Sequence, residues 1–376
     1  MYKTSEVVKA LNMTTDKVEE VSLKSMSFVA AGVYSNVYCG TAQSQSMQRQ
    51  QIAVKKTWTT RKAVDPNEIV IIRKLNGLNH PNIVKLMHVY KKDHGDRVCL
   101  SMIFEFLPTS LEEYLVKVGR RMDIIDIKMI SWQLFRAQFH LARNDIVHRD
   151  IKPSNILFEP NTGLVKICDF GLSVSNPKKY PQPSYIGTRH YRAPELLLNA
   201  KHYGSQVDIW SSGCIMAELV KGGIFIEGAN TENQLALVME LLGPPTVQDR
   251  HAMQCSESAF LSTKMPLNRQ KSGLADFKYM VEEQWKSSDD PTTKMCNNMI
   301  GKEDIKATVA ILKRVLVYQP SNRYAGIELL VDPYFKILFD PTTTRSNGNP
   351  IWCVSRKDLD VVRLGDRTIT ETSTSK

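Results

Sequence analysis

Apolar and polar positions follow different patterns in the two parts of this chain. Over Leu23–Cys99 the apolar residues come in short runs, such as Phe28–Tyr38 and Gln51–Lys55, which predict strands with one helix among them. Over Ser110–Phe335 the apolar residues recur mostly at helical spacing. A small β-rich part followed by a large helical part predicts an α+β fold with two lobes and a cleft between them.

Two helices are predicted with particular clarity in the second part. The first runs roughly over Ile124–Ala142, where the residues at helical spacing are Ile127, Ile130, Leu134 and Leu141. The second, Val207–Leu219, is apolar on most sides, which is typical of a helix in the core.

Both ends of the chain are polar. Residues 1 to about 24 read as a polar arm with some helical tendency. The stretch that begins at Pro341 is rich in Thr and Ser, and its composition predicts a loosely ordered tail.

Composition excludes several classes of protein. The chain has 376 residues, of which 42% are hydrophobic and 23% charged, a mixture typical of soluble globular proteins. We expect no membrane span, because no apolar run is long enough, and no signal peptide, because the N-terminus carries acids and lacks an apolar stretch. The seven scattered cysteines form no C-x-x-C pair and predict reduced thiols in the cytoplasm or nucleus.

The net charge of +10 is spread along the chain. Nucleic-acid binding needs a clustered basic stripe, and the sequence has none, so we expect no nucleic-acid partner. A basic surface of this kind suits acidic or phosphorylated proteins equally well.

The strongest chemical signal is a pair of motifs in the helical part. "IVHRDIKPSNILF" places Asp150, Lys152 and Asn155 on one short loop, and "VKICDFGLS" follows with Asp169. An aspartate on a loop can accept a proton from an attacking hydroxyl. An asparagine oxygen and a second carboxylate are hard oxygen ligands suited to magnesium. Each motif alone is weak, but their order and spacing together indicate phosphoryl transfer.

In these motifs the chain resembles a eukaryotic protein kinase over nearly its whole length. The resemblance implies a bilobal α+β fold and a serine/threonine protein kinase that uses ATP and Mg²⁺. It implies a kinase domain over residues 24–338, with an N-lobe at 24–106, a C-lobe at 108–338 and an insert at about 228–299. Residues 1–23 would be an N-terminal arm and residues 339–376 a C-terminal tail.

The resemblance also assigns roles to individual residues. Asp150 would orient and deprotonate the substrate hydroxyl, and Lys152 would lie near the γ-phosphate. Asn155 and Asp169 would hold magnesium. Lys55 would hold the ATP phosphates, and Glu68 would steady that lysine. Elsewhere in the domain, Arg323 would pair with Glu195. The residues implied around the nucleotide are Val29, Gly32, Val37, Ala53, Phe104, Glu105, Leu107 and Leu157.

Glu68 has a second interpretation. Asp65-Pro66-Asn67-Glu68 reads as an N-cap followed by proline and an acid at the third helical position, which is a capping box. Glu68 could pair with Lys55 in one activation state of the enzyme and cap the helix in the other.

The phosphate-binding loop departs from the kinase pattern G-x-G-x-x-G-x-V. Its three glycine positions read Ala30, Gly32 and Ser35, followed by Val37. A residue held at positive φ costs roughly 1 kcal/mol relative to glycine, and less where the backbone is ordinary. We therefore expect weaker ATP binding, by up to about tenfold, but not its loss.

Within the kinases the chain resembles glycogen synthase kinase-3. The similar segments are "EVSLKSMSFVAAG", "PNEIVIIRKLNGLNHPNIVKL" and "SYIGTRHYRAPELL". Tyr185 matches the tyrosine that this family phosphorylates on itself, with Arg189 and Arg192 nearby to receive the charge. The alternative is that Tyr185 has a structural role, with its phenol packed within the activation loop.

The resemblance implies a preference for primed substrates, which already carry a phosphate four residues after the target serine. The chain departs from the family at the pocket for that phosphate. The resemblance places three basic residues there, and only Arg149 is present, since Asn67 and Val174 stand at the other two positions. We expect little preference for primed substrates unless Arg73 or Lys178 turns inward and replaces the missing charges.

Protein substrates are the implied partners of a monomeric enzyme in signal transduction, and a scaffold protein on the C-lobe is possible by resemblance. The family's scaffold contacts cannot be carried over, because Val247–Met299 matches poorly. The alternative function is a pseudokinase scaffold that binds partners or nucleotide without transferring phosphate.

Overall fold

The computed structural model describes residues 5–32, 35–60, 67–95, 97–255 and 300–363. The chain divides into two compact units. The first comprises Met1–Pro108 together with Cys168–Gly171, and the second comprises Thr109–Ile167 and Leu172–Lys376. The bilobal α+β class predicted from the sequence is confirmed by strands in the first unit and helices in the second.

The first unit is a closed antiparallel barrel with the strand order β1-β2-β3-β4-β6-β5. Its residues alternate between faces, so that Val8 and Ala10 of the first strand and Ile52 and Val54 of the fourth fill the barrel core. One helix, α1, follows the fourth strand. The bounds are β1 Glu6–Asn12, β2 Val18–Ala31, β3 Ser35–Gln43, β4 Gln50–Thr60, α1 Asn67–Leu78, β5 Leu86–His94 and β6 Arg97–Glu105.

The N-terminal residues correct one prediction. They form β1 and the start of β2, where we expected helical tendency. Val8 and Ala10 point into the barrel, and β1 pairs with both β2 and β5. Pairing with β5 joins residues far apart in sequence, so the local pattern could not indicate it.

A polar cluster joins β1, β2 and β5. The Glu19 carboxylate accepts hydrogen bonds from Asn12 Nδ2 (2.8 Å), Ser46 Oγ (2.5 Å) and the Ser46 backbone N–H (3.1 Å), and its Oε1 lies 2.6 Å from His88 Nε2. Burial alone would raise the pKa of Glu19, but the hydrogen bonds lower it to about 2.

The second unit is mostly helical. Two long helices, α3 and α5, pack against each other at its centre. In the described part of this unit, short strands pair β7 with β9, β9 with β10, and β8 with β11. The bounds are β7 Thr109–Ser110, α2 Leu111–Lys117, α3 Ile124–Arg143, β8 Ile146–Val147, β9 Ile156–Glu159, β10 Leu164–Ile167, β11 Val174–Ser175, α4 Pro194–Leu197, α5 Gln206–Lys221, α6 Thr231–Leu242, α7 Val247–Ala252, α8 Lys302–Val315 and α9 Gly326–Leu330.

Both helices predicted in detail are confirmed. α3 begins where Asp123 caps it, because its carboxylate accepts hydrogen bonds from the backbone N–H groups of Ile125 and Asp126. α5 is buried along nearly all of its length and ends at Gly222, whose φ of 81° suits glycine. Of the predicted insert, α6 and α7 lie in the described region and residues 256–299 lie outside it.

The tail corrects a second prediction, because it is ordered to residue 363 and packs on α3. Arg345 is buried and its guanidinium binds the Asp126 carboxylate, with Nε–Oδ1 at 2.6 Å and Nη2–Oδ2 at 3.3 Å. Farther on, Asp358 forms an ion pair with Arg136 at 2.7 Å. A loosely ordered tail was the wrong expectation as far as residue 363, and residues 364–376 lie outside the described part.

No helix in the described residues is long and apolar enough to cross a membrane.

Candidate active site

Three charged side chains predicted to act together meet in the first unit. The Lys55 ammonium lies 2.8 Å from both carboxylate oxygens of Glu68 and 2.8 Å from Oδ1 of Asp169. β4 supplies the lysine, α1 the glutamate, and the segment Cys168–Gly171 the aspartate. Burial alone would lower the pKa of Lys55, but the charges of Glu68 and Asp169 outweigh it and the pKa is raised.

This geometry bears on the two interpretations of Glu68. Its side chain is 8% exposed, and both of its oxygens are engaged by Lys55. The described helix begins at Asn67, and the proposed cap at Asp65 lies outside the described residues. In this conformation Glu68 therefore pairs with the lysine, as the kinase motifs predict.

Asp169 is placed by an unusual backbone conformation. Its φ is 63°, in the left-handed region, and its side chain is 48% exposed. A Cβ at Gly171 would lie 3.2 Å from the Asp169 carboxylate, so glycine there keeps the carboxylate uncrowded. The Asp169 carboxylate is therefore held against Lys55 while about half of its side chain stays exposed.

The barrel register places several predicted nucleotide-binding residues on one face. Val37 pairs with Lys55 across β3 and β4, and Ala53 pairs with Phe104 across β4 and β6. Directly paired residues point to the same side, and alternation puts Ala53 and Lys55 together on the face opposite the barrel core.

The remaining predicted nucleotide-binding residues lie at element ends or in the other unit. Val29 occupies an irregularity in the pairing of β2 with β3 and is 50% exposed, Glu105 ends β6, and Leu107 follows it. Leu157 belongs to the second unit, on β9.

The phosphate-loop residues correct our estimate of strain. Ala30 and Ser35 both lie in strands, and neither is among the described residues with positive φ. Gly32 donates its N–H to the Ser35 carbonyl at 2.6 Å, and a Cβ at Gly32 would lie 3.2 Å from Ser35 Oγ. Because their backbone is ordinary, the two substituted positions carry no left-handed strain.

Asp150 lies at the centre of a hydrogen-bonded cluster in the second unit. Its Oδ2 is 3.0 Å from both Lys152 Nζ and Asn155 Nδ2. Its Oδ1 accepts hydrogen bonds from the N–H (2.9 Å) and hydroxyl (2.7 Å) of Thr188. Four donors hold the carboxylate in one orientation, which is what positioning a substrate hydroxyl requires.

Two groups that position this loop were missed as site residues by sequence reasoning. Asp208 of α5 is fully buried and accepts hydrogen bonds from the backbone N–H groups of His148 (2.7 Å) and Arg149 (2.9 Å). Gly187 belongs to the activation segment, the stretch of chain from Asp169 to Glu195. Its φ of 75° suits glycine, and the segment can approach the loop of Asp150 here because a Cβ at Gly187 would lie 2.3 Å from the Arg149 carbonyl. The available signals were the Asp of "DIWSSGC" and the Gly-Thr of "YIGTRHY".

Tyr185 is exposed and lies against one of its two predicted arginines. Its side chain is 74% exposed, and the Arg192 guanidinium lies 4.3 Å from the ring centroid. Arg189 Nη1 instead donates to the carbonyls of Gly228 and Ala229. The packed-phenol alternative therefore does not describe Tyr185 in this conformation.

The end of the activation segment is fixed by a buried ion pair. Both terminal nitrogens of Arg323 lie 2.6 Å from the Glu195 carboxylate oxygens, and the two side chains are 0% and 1% exposed. The structure thus contains the pair that the motifs predict.

Arg149 is held by neutral oxygen atoms. Its Nε donates to the Leu172 carbonyl (2.6 Å), and its Nη1 donates to Gln182 Oε1 (3.1 Å) and Tyr203 Oη (3.4 Å). Of the proposed replacements for the missing charges, Arg73 forms an ion pair with Asp16. The side-chain position of Lys178 is outside the described part.

The residues present fit magnesium and nucleotide by their donor chemistry. Asn155 donates hydrogen bonds from Nδ2 to Asp150, so its Oδ1 is the atom that would bind magnesium. Asp169, in the first unit, has a half-exposed carboxylate, which is the kind of oxygen group that magnesium prefers. Among the described residues no cluster of three or more His, Cys, Asp or Glu side chains forms a metal cage, and magnesium bound through phosphates does not need one.

These features define a class of protein. Residues 23–335 match the family model described as "Protein kinase domain", and the chain belongs to that family. Within it the chain is similar to glycogen synthase kinase 1 of Pyricularia oryzae, with 32% identity over 71% of this chain and 62% of that protein. It is also similar to serine/threonine-protein kinase RIM11/MSD1 of Saccharomyces cerevisiae, with 32% identity over 84% of this chain and 78% of that protein.

The resemblance to glycogen synthase kinase-3-like kinases drawn from the sequence is thereby confirmed. The chain spans less than two thirds of the length of the Pyricularia oryzae relative.

Proposed function

We propose that this protein is an active serine/threonine protein kinase that transfers the γ-phosphate of ATP to protein hydroxyls in signal transduction. The observation that carries the proposal is the contact of Lys55 with both Glu68 and Asp169 at 2.8 Å. A pseudokinase scaffold needs the fold but has no use for this preorganised charge cluster.

The proposed mechanism assigns a role to each group of the chain. Magnesium-bound ATP supplies the phosphoryl group when it is bound. Lys55, held by Glu68, would orient the phosphates, and the side-chain oxygens of Asn155 and Asp169 would be the magnesium ligands that the kinase motifs imply. Asp150, whose carboxylate is fixed by Thr188, orients the substrate hydroxyl and accepts its proton, while Lys152 stabilises negative charge beside it.

The proposed substrate class is unprimed protein, because the pocket for a priming phosphate is degraded. Asn67 and Val174 carry no charge, and Arg73 is engaged with Asp16. Arg149 is the remaining matching charge. We also propose a cytoplasmic or nuclear enzyme, which a fluorescent fusion in cells would test.

Activity is tested by incubating purified protein with Mg-ATP and a general substrate such as myelin basic protein. We expect phosphate transfer by the wild type and its loss in Asp150→Asn. Nucleotide binding by the wild type without transfer to itself or to the substrate would instead support the pseudokinase alternative.

A further inference from the structure

Arg149 lies on the catalytic loop, which carries Asp150, and contacts the activation segment at two places. It precedes Asp150, and its guanidinium reaches Leu172 at the start of the segment and Gln182 farther along. Tyr203 joins the cluster by accepting a hydrogen bond from Arg149 and donating its own hydroxyl to the Pro183 carbonyl at 2.7 Å. In the described part of the chain no carboxylate forms an ion pair with Arg149.

The Gln182 amide is oriented by its neighbours and not by Arg149 alone. Its Nε2 donates to the Tyr180 carbonyl at 2.9 Å, so its Oε1 is the atom turned to Arg149. Its backbone N–H donates to the Lys201 carbonyl at 2.7 Å, which fixes the main chain beside the loop before α5. The acceptor is therefore preorganised for the guanidinium.

We infer that Gln182 is a specificity-determining residue, a neutral internal acceptor at Arg149 that takes the position an anion would otherwise occupy. The inference deepens the proposed function and rests on it. Gln182 holds the activation segment on the catalytic loop without a phosphate, and it also blocks Arg149 from a phosphate on a substrate. Loss of the two charges that the family resemblance implies at Asn67 and Val174 weakens the preference for primed substrates, and Gln182 makes a priming phosphate unnecessary.

If Gln182 blocks Arg149, its removal should affect unprimed and primed peptides differently, whereas a merely structural glutamine would affect both equally. Gln182→Ala should remove the internal acceptor and leave Arg149 open to an external anion. We expect kcat/KM for an unprimed peptide to fall about tenfold, because the segment loses its tie to the catalytic loop. We expect kcat/KM for the matching primed peptide to fall by less than threefold, because its phosphate binds Arg149 in place of the amide.

Two further variants sharpen the comparison. Gln182→Glu keeps the length of the side chain and adds a charge for Arg149, so it should retain activity on unprimed peptide and lower the primed-to-unprimed ratio below the wild-type value. Tyr203→Phe removes one acceptor but keeps the ring, and it should change the ratio in the same direction as Gln182→Ala by a smaller factor. Lys179→Ala, at an exposed site of the same segment, serves as the control and should leave the ratio within twofold.

A binding measurement removes the dependence on turnover. Inorganic phosphate should raise the melting temperature of Gln182→Ala and leave that of the wild type unchanged, since only the variant has an open guanidinium. Equal losses on both peptides in Gln182→Ala, with no phosphate effect on its melting temperature, would overturn the inference and make Gln182 a structural residue. A wild type that itself prefers primed peptide a hundredfold would instead overturn the proposed substrate class, while an inactive wild type would overturn the proposed activity.

Discussion

At the scale of single residues, the candidate chemistry depends on a charge cluster whose members come from distant parts of the chain. Lys55, Glu68 and Asp169 are far apart along the chain, yet each lies in a short motif from which its role can be predicted. Thr188 and Asp208 were missed as site residues because they act through Asp150 and its loop, and a donor to another residue leaves no pattern of its own.

The first prediction concerns the charge cluster at Lys55. Lys55→Met removes a buried ammonium that is preorganised by two carboxylates, so kcat/KM should fall at least a hundredfold. Radiolabel transfer to a peptide substrate measures the loss. Lys56→Met on the same strand is the matched control and should retain activity within threefold.

The second prediction concerns the phosphate loop and revises the sequence-based expectation. Ala30 and Ser35 have ordinary backbone, so replacing both by glycine relieves no left-handed strain. The double variant should bind ATP within about threefold of the wild type in a calorimetric titration. A gain approaching tenfold would restore the original account, in which these two residues weaken binding.

At the scale of elements, the helices were predictable and the two ends of the chain were not. The apolar spacing of α3 defines both the helix and its buried side within one local stretch. The order of β1 and of the tail depends on distant residues: β1 pairs with β5, and Arg345 binds Asp126 of α3. A polar composition indicates disorder only when such partners are absent.

The third prediction concerns the ordered tail. Arg345→Ala leaves the buried Asp126 carboxylate without its guanidinium, so the free energy of unfolding should fall by about 3–5 kcal/mol. Urea denaturation measures it. The control is Lys306→Ala, which breaks an ion pair with Glu303 at the surface. Because the two side chains are 80% and 88% exposed, respectively, this change should lower the free energy of unfolding by less than about 0.5 kcal/mol. Similar small effects from both variants would show that the tail contributes little to stability.

The fourth prediction uses Glu19 and the pH dependence of stability. Because its folded pKa is lowered to about 2 from 4.5, ionised Glu19 stabilises the fold above pH 4.5, and this contribution is lost as pH falls toward 2. Glu19→Gln should therefore lower the free energy of unfolding by on the order of 2–3 kcal/mol at pH 6. The difference should shrink by about half at pH 3.

Urea denaturation at the two pH values tests this sign, with Glu20→Gln, an exposed neighbour on β2, as the control. A difference that stays constant or grows toward pH 3 would contradict the assignment of the stabilisation to the ionised carboxylate.

At the scale of the whole molecule, the motifs predict the fold class and the family, whereas the proposed substrate preference rests on the charge of the predicted pocket for the priming phosphate. The net charge of +10 says nothing of that balance. Arg73 is a basic residue that could have restored the pocket, and its ion pair with Asp16 on the turn between β1 and β2 could not be read from the sequence. In this conformation the Arg73 guanidinium is paired with Asp16 at the protein surface.

The last prediction is a weak preference for primed substrates. A phosphate carries about −1.5 to −2 charges, and each charge-assisted bond that Asn67 and Val174 cannot make forgoes roughly 1.5–3 kcal/mol. Primed and unprimed versions of one peptide should therefore differ less than tenfold in kcat/KM. Asn67→Arg combined with Val174→Lys should increase that ratio, because it restores the two charges, while Asn67→Gln with Val174→Ile adds none and should leave it unchanged. If the wild type already preferred the primed peptide a hundredfold, another basic group would have to bind the phosphate, and Lys178→Ala would then be the variant that abolishes the preference.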